Sequence, residues 1–260
     1  AVIDQIESLA QERAQKLFGV PYVNVQPLSG APANSAVYMA VLKNGEKLMG
    51  LALTSGGHIT HGHKLGLSGR LFTFAHYTLG EDGKLDYDAI EKEVMKEKPA
   101  LLICGFTAYP RTIDFKRFGQ IADKVGCYLM ADVSHITGLI VAGAHPSPVP
   151  YVDIVTTTTH KTLRGPRGAM IMVTEKGLRK NPDLPKQLET AIIPGLQGGP
   201  HDNQTAAIAV ALKEASTAKF KKYGEQIVLN AKALAKALTS YRFELVSGSR
   251  PASMSVSCAA

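Results

Sequence analysis

The sequence has no run of 18 or more apolar residues, which is about what a helix needs to cross a bilayer. Its opening segment AVIDQIESLAQER has the pattern of an amphipathic helix rather than a basic stretch followed by an apolar one. Neither a membrane span nor a signal peptide is therefore expected. Cysteine is scarce. Cys104, Cys127 and Cys258 stand singly, the first two inside apolar runs (ALLIC, CYLMA), which argues against a disulfide framework or a zinc site. A reducing compartment fits this usage, the cytoplasm or an organelle matrix. Basic residues exceed acidic ones by seven but are interleaved with them on segments such as DFKRFGQIADKVG. Without a basic stripe, nucleic-acid binding is not expected, and the excess suits anionic small molecules. Repeats, low-complexity tracts and long linkers are also missing.

With 45% of its residues hydrophobic and 20% charged, the 260-residue chain reads as one large globular domain. Short apolar runs alternate with segments of helical period, the pattern of an α/β fold with a largely parallel sheet. Helices are predicted at 3–18, 33–43, 86–97, 114–125, 178–190 and 203–239, the last broken near Tyr223 and Gly224. Strands are predicted at 48–53, 71–75, 100–104, 127–131, 152–156, 168–173 and 242–246. Strands as uniformly apolar as ALLIC and CYLMA are covered on both faces. Ligands in such sheets gather at the carboxyl ends of the strands, so the residues that follow each run carry the interest.

Asp132 closes the run CYLMAD and delivers a carboxylate to that edge. It reads either as the N-cap of a helix over SHITGLI or as the partner of a protonated ring nitrogen. Lys161 follows the hydroxyl-rich strand IVTTTTH and is trailed by LRGPRG. The positive field of His160, Arg164 and Arg167 would depress its pKa and favour the free amine that a Schiff base requires. In QPLSGAPAN, Ser29, Gly30 and Ala31 precede Pro32, placed as the first residue of a helix whose free N–H groups would suit a phosphate. Neither GxGxxG nor GxxxxGK[ST] occurs, which weakens dinucleotide and P-loop readings. GGHITHG offers His58 and His61, but no carboxylate or cysteine pattern accompanies them. A metal is not expected, and an imidazole over a flat aromatic ligand is the better reading. The glycines of PGLQGGPHD, Gly195, Gly198 and Gly199, allow close approach of another body or simply mark a turn.

Taken together, TTTTHKTLRGPRG (156–168), ADVSH (131–135), QPLSGAPAN (26–34), GGHITHG (56–62) and PGLQGGP (194–200) resemble the serine hydroxymethyltransferase family, in order and along essentially the whole chain. The resemblance implies a fold-type-I pyridoxal-phosphate transferase, a three-layer α/β/α domain with a mostly parallel, mixed sheet of about seven strands. It implies interconversion of serine and glycine, with the one-carbon unit passed to tetrahydrofolate to give 5,10-methylenetetrahydrofolate. By the same resemblance Lys161 would hold the cofactor as a Schiff base, Asp132 would pair with the pyridinium nitrogen and His58 would stack on the ring. His135 and Thr107 would contact the 3′-oxygen side. Ser29, Gly30 and Ala31 would hold the phosphate, closed by Gly199 of a second copy in a homodimer or tetramer. Thr158 and His160 would support exchange of the amine on the cofactor, and Arg167 would order the site. Leu53, Gly57 and Ile59 would line the folate slot.

Two departures are expected. The family's catalytic glutamate and its carboxylate-gripping arginine have no counterpart here, so residues 1–240 read as the large cofactor-binding domain and 241–260 as the start of a smaller one. The chain alone is expected to bind the cofactor but to cleave serine poorly. Asn203 also stands where relatives often have histidine, and Thr107 where many have serine. Another fold-type-I enzyme, such as a threonine aldolase, a glycine acyltransferase or an aminotransferase, and a catalytically incomplete cofactor-binding core are the alternatives.

Overall fold

The structure is a computed structural model that describes residues 1–248; Cys258 and most of the expected second domain at 241–260 lie outside them. The chain runs α1 (Val2–Phe18), β1 (Tyr22–Asn24), α2 (Gly30–Val41), β2 (Lys47–Leu51), a 3₁₀ turn (Leu53–Ser55), α3 (Leu67–Leu71), β3 (Thr73–Tyr77), α4 (Tyr87–Glu97) and β4 (Leu101–Cys104). It continues through α5 (Phe115–Val125), β5 (Tyr128–Asp132), α6 (Thr137–Val141), β6 (Ile154–Thr158), β7 (Ala169–Val173), α7 (Glu175–Lys180), α8 (Leu184–Ile192), α9 (Asp202–Ala215) and α10 (Ala218–Ser240). The strands form one seven-stranded sheet in the order β1-β7-β6-β5-β4-β2-β3. Strands β2 to β6 are mutually parallel, while β7 is antiparallel to both β6 and β1.

Successive side chains on a strand point to opposite faces, and here both faces are buried. Leu101, Ile103, Met130, Ile154 and Ile171 pack with Ala33, Val37 and Tyr38 of α2 and Leu184 and Leu188 of α8. Leu102, Cys104, Leu129, Ala131 and Val155 pack on the other side with Phe115, Phe118 and Ile121 of α5, Ile90 and Val94 of α4, and Leu212 and Phe220 of α9 and α10. This is the three-layer α/β/α architecture expected of a fold-type-I transferase. No helix among the described residues is long and apolar enough to cross a membrane.

Several boundaries differ from the expectation, each for a local reason. The helix predicted at 178–190 is two helices, because Pro182 forces Asn181 into extended backbone (φ −150, ψ 100) between α7 and α8. The long C-terminal helix breaks at Ser216 and Thr217, where the Thr217 side chain caps α10 by accepting from the Phe220 N–H. Gly224 lies inside α10; an added Cβ would meet the Cβ of Ala142 at 2.2 Å, so this glycine serves close packing on α6 rather than a break. Helix α2 begins at Gly30 with Ser29 at its N-cap, so Pro32 is its third residue rather than its first. There its missing N–H still costs nothing, since the first N–H groups of a helix have no partner in the helix.

The strand predicted at 242–246 is absent. That stretch is irregular, leaves Phe243 and Val246 exposed, and leads to Ser247 and Gly248, whose oxygens accept hydrogen bonds from the buried Arg111. The seventh strand is instead β1, three residues paired along the edge of β7.

Candidate active site

The parallel strands deliver their carboxyl ends to one edge, and a cavity of about 210 Å³ opens there. From α2 it is lined by Ser29, Gly30 and Ala31, and from the loop after β2 by His58, Ile59 and His61. Phe106 and Thr107 follow β4, Asp132, Ser134 and His135 end or follow β5, and Thr158, His160, Lys161 and Arg167 end or follow β6.

Asp132 is the electrostatic centre. Its Oδ1 accepts from the N–H and the hydroxyl of Ser134 at 3.2 and 2.6 Å. Its Oδ2 accepts from Asn34 Nδ2 at 2.8 Å and lies 3.2 Å from His61 Nε2. Burial alone would push this carboxyl up, but His61 first, then Ser134 and Asn34, outweigh it and hold the group well below the usual carboxylate range. The N-cap reading fails, because α6 starts only at Thr137.

Lys161 is half-buried, and burial is the main cause of its lowered pKa; Asp132 opposes the shift and Arg167 adds to it. The positive field expected from three neighbours reduces to Arg167. Arg164, in left-handed backbone at φ 62, turns its guanidinium away onto the rings of Tyr223 and Phe220, 4.2 and 5.5 Å from their centroids. His135 is pushed down to about 4, first by burial and then by the charge of Lys161, so it is neutral at physiological pH. Burial also lowers His58, whose Nδ1 is 2.7 Å from Thr60 Oγ1, and His160.

The N-terminus of α2 completes the wall. Ser29 makes no side-chain cap bond and the first turn carries no acidic residue, so nothing on the helix neutralises its positive end. A Cβ at Gly30 would stand 2.8 Å from the Thr158 methyl, so glycine is what lets helix and strand meet here. Around the cavity Thr107 Oγ1, Thr158 Oγ1 and His160 Nδ1 are buried without a hydrogen-bond partner among the described residues. Orphaned polar atoms of this kind are costly unless a ligand satisfies them.

A family model described as serine hydroxymethyltransferase matches residues 1–256. The chain belongs to the serine hydroxymethyltransferase family. A protein of that name from Desulfotalea psychrophila is 55% identical over 247 residues, covering 95% of this chain and 56% of its own length. Another from Crocosphaera subtropica is 53% identical over the same shares. Serine hydroxymethyltransferase 1 from Pseudomonas fluorescens is 47% identical, over 95% of this chain and 58% of its own. The chain thus spans a little over half the length of these relatives.

For a member of the serine hydroxymethyltransferase family, the expected residues converge unevenly. Twelve of them line one cavity: Ser29, Gly30, Ala31, His58, Ile59, Thr107, Asp132, His135, Thr158, His160, Lys161 and Arg167. Leu53, Gly57 and Gly199 do not. Leu53 is exposed nearby, and Gly57 passes so close to β2 that a Cβ would sit 2.0 Å from the Leu51 carbonyl oxygen. Gly199 is exposed, with open space beside it. Sequence reasoning missed Asn34, Thr60 and Ser134 and weighed His61, with His58, as a metal ligand or a ring-covering imidazole but not as a partner of Asp132. His58, His61 and Asp132 do bring ligand atoms within 4.8 Å of one another, but the bonds on Asp132 show His61 engaged as its partner. All four residues lie inside the motifs named above; Asn34, His61 and Ser134 bond Asp132 directly, and Thr60 joins Asn34 to His58.

Proposed function

We propose that this chain binds pyridoxal 5′-phosphate on Lys161 and serves the interconversion of L-serine and glycine, with transfer of the hydroxymethyl carbon to tetrahydrofolate to give 5,10-methylenetetrahydrofolate. The observation that carries the reading is one cavity where a lysine amine meets a buried, donor-saturated carboxylate on one side and an acid-free helix N-terminus on the other. The residues fit the cofactor. The N–H groups of Gly30 and Ala31, with the Ser29 hydroxyl, suit a phosphate, and Arg167 adds positive charge. The orphaned Thr107 and Thr158 hydroxyls and His160 Nδ1 await polar partners. When bound, the cofactor supplies an electron-poor ring that takes up negative charge from the α-carbon of an attached amino acid.

The chain's own groups do the rest. Asp132, kept ionised, holds a proton on the ring nitrogen. Lys161 presents an amine whose pKa is lowered towards the free form, as attachment and displacement at the cofactor's carbonyl carbon require. His58 would cover a ring face, and neutral His135 with Thr107 would meet the 3′-oxygen side. Thr158 and His160, in the cavity wall, would support exchange of the lysine for a substrate amine, and Arg167 would help order the site. For the folate, Leu53 and Ile59 offer exposed apolar surface, 45% and 54% exposed, and Gly57 keeps the backbone between them close to the sheet.

The assembly is a homodimer or a tetramer of such dimers. Gly199, exposed and outside the lining of its own cavity, would close the phosphate site of a second copy, and the exposed Leu65, Leu67 and Leu71 suit burial by a partner. A reducing compartment accords with the two buried free cysteines. The family match disfavours a threonine-aldolase-like reading.

The test is made on the protein at the length of its relatives. Label at carbon 3 of serine is expected to appear in methylenetetrahydrofolate, with the rate at least about 10³-fold lower in Lys161→Ala, the scale on which loss of a covalent catalytic group acts. Transfer at native rate in that variant, or none in the native protein, would overturn the reading.

A further inference from the structure

Asn34 has no part in the chemistry above, yet it is the most fully engaged side chain beneath the site. It is 1% exposed and lies in the second turn of α2, one turn beyond the N-terminus that would hold the phosphate. Its Nδ2 donates to Asp132 Oδ2 at 2.8 Å and to Thr60 Oγ1 at 2.9 Å, while its Oδ1 accepts from Thr156 Oγ1 at 2.7 Å. The amide can face only one way. An ionised carboxylate accepts and never donates, so turning the amide over would set its oxygen against Asp132.

We propose that Asn34 is a positioning residue, which fixes the plane of the Asp132 carboxylate, keeps it ionised for the ring nitrogen and ties it to the phosphate-binding helix. The proposal rests on the cofactor reading above. Rotation of an aspartate carboxylate is soft, with a broad torsional profile. Ser134 fixes Oδ1 and Asn34 with His61 fixes Oδ2, so turning the group breaks bonds at both oxygens. Through Thr60, which also contacts His58 Nδ1, the same amide reaches the loop that covers the ring. Through Thr156 it is anchored to β6, the strand that leads to Lys161. One side chain thus links the phosphate end, the nitrogen end and the face of the ligand.

Asn34→Asp preserves shape but replaces the donor with an acid. Two carboxyl groups in that contact cannot both ionise cheaply, so the pair keeps one proton until the pH rises through its elevated second pKa. While shared, that proton donates as the amide did; once lost, two negative charges face each other. The other titratable groups facing the pair are Tyr38 on α2, His58 and His61 after β2, His135 after β5 and Lys161 after β6. They are common to native and variant chains, so the ratio of the two affinities isolates the pair.

Pyridoxal phosphate is titrated into the chain and into Asn34→Asp, Asn34→Ala and Thr156→Val across about pH 6 to 9, by visible absorbance, with thermal melts of the cofactor-free proteins as folding controls. The native-to-variant affinity ratio for Asn34→Asp is expected to rise about tenfold per pH unit above the pair's pKa. Asn34→Ala is expected to bind at least about tenfold more weakly at every pH. If either Asn34 variant fails to fold, Thr156→Val frees the amide without touching Asp132 and should still weaken binding several-fold. A pH-independent ratio for Asn34→Asp, or native affinity in Asn34→Ala or Thr156→Val, overturns the proposal. If the native chain gives no visible band, the cofactor reading itself fails and takes this one with it.

Discussion

Asp132, the last residue of β5, and Asp153, just before the neighbouring β6, are almost equally buried, at 7% and 0% exposure, but they stand at opposite edges of the sheet. Asp132 ends β5 at the carboxyl edge; Asp153 precedes β6 at the amino edge. Asp132 has donors on both oxygens. Asp153 receives one N–H, from Leu129 at 2.8 Å, and its other oxygen has no partner among the described residues. Lys180 stays 3.7 Å away, giving its ammonium to the Cys127 carbonyl and lying over the Tyr128 ring. Burial consequently raises Asp153, with Leu129 and the lysines opposing it, while the donors lower Asp132. Equal burial thus gives opposite charge preferences, and the number of donors decides which.

The two carboxyls should affect stability with opposite slopes in pH. For Asp132 the folded pKa is below the unfolded one, so its contribution is present above the unfolded value and is lost as pH falls through the folded one. For Asp153 the folded pKa is the higher, so the fold binds more protons there and stability falls as pH rises between the two values.

The largest effect that would sharpen the contrast is on turnover. Asp132→Asn should bind the cofactor more weakly but still load at saturating concentration, and should then lower serine cleavage by about 10²-fold or more in the protein at the length of its relatives, since an amide does not hold a proton on the ring nitrogen. Asp153→Asn should leave turnover unchanged. Steady-state rates with serine and tetrahydrofolate decide it, and equal losses in the two variants would erase the distinction between the edges.

An intermediate effect is expected at the other wall of the same edge. Gly30→Ala places a methyl against Thr158 Cγ2 and should weaken pyridoxal phosphate binding by about tenfold, the scale of a modest overpacking cost. Adding Thr158→Ser removes the opposing methyl while keeping the hydroxyl, and should recover part of the loss. A double variant no better than Gly30→Ala would show that the close approach is not what the glycine provides.

The smallest effect is on stability. In denaturant unfolding of the cofactor-free chain at neutral pH, Asp153→Asn should change stability by less than about 1 kcal/mol, because an amide oxygen can still accept from Leu129 and the cost of a buried charge disappears. Asp132→Asn should cost about 1–3 kcal/mol, since it sets an NH₂ against existing donors. The reverse ranking would contradict the donor-count argument.

Much of the fold and of the site edge was legible in the sequence, Asp153 was not, and what was missed has physical causes. Uniformly apolar runs such as ALLIC foretold strands covered on both faces, and a carboxylate or lysine just past such a run marked the functional edge. Three-residue β1 is too short to show a period, and it exists because β7 offers it an edge. RFELV alternates like a strand but pairs with no strand among the described residues, leaving Phe243 and Val246 exposed. Arg164 was read as a charge near Lys161 because proximity in sequence says nothing of direction. Asn34 and Ser134 escaped notice because a donor to a buried carboxylate is recognisable only once the carboxylate's position is known.

The account turns on which nitrogen takes the cofactor. Reducing the chain with borohydride in the presence of pyridoxal phosphate, then mapping the adduct by peptide mass, tests this directly. The account predicts a single stoichiometric label on Lys161, lost in Lys161→Ala without redistribution to other lysines. Label spread over surface lysines such as Lys116 and Lys186, or unchanged in total when Lys161 is replaced, would contradict it.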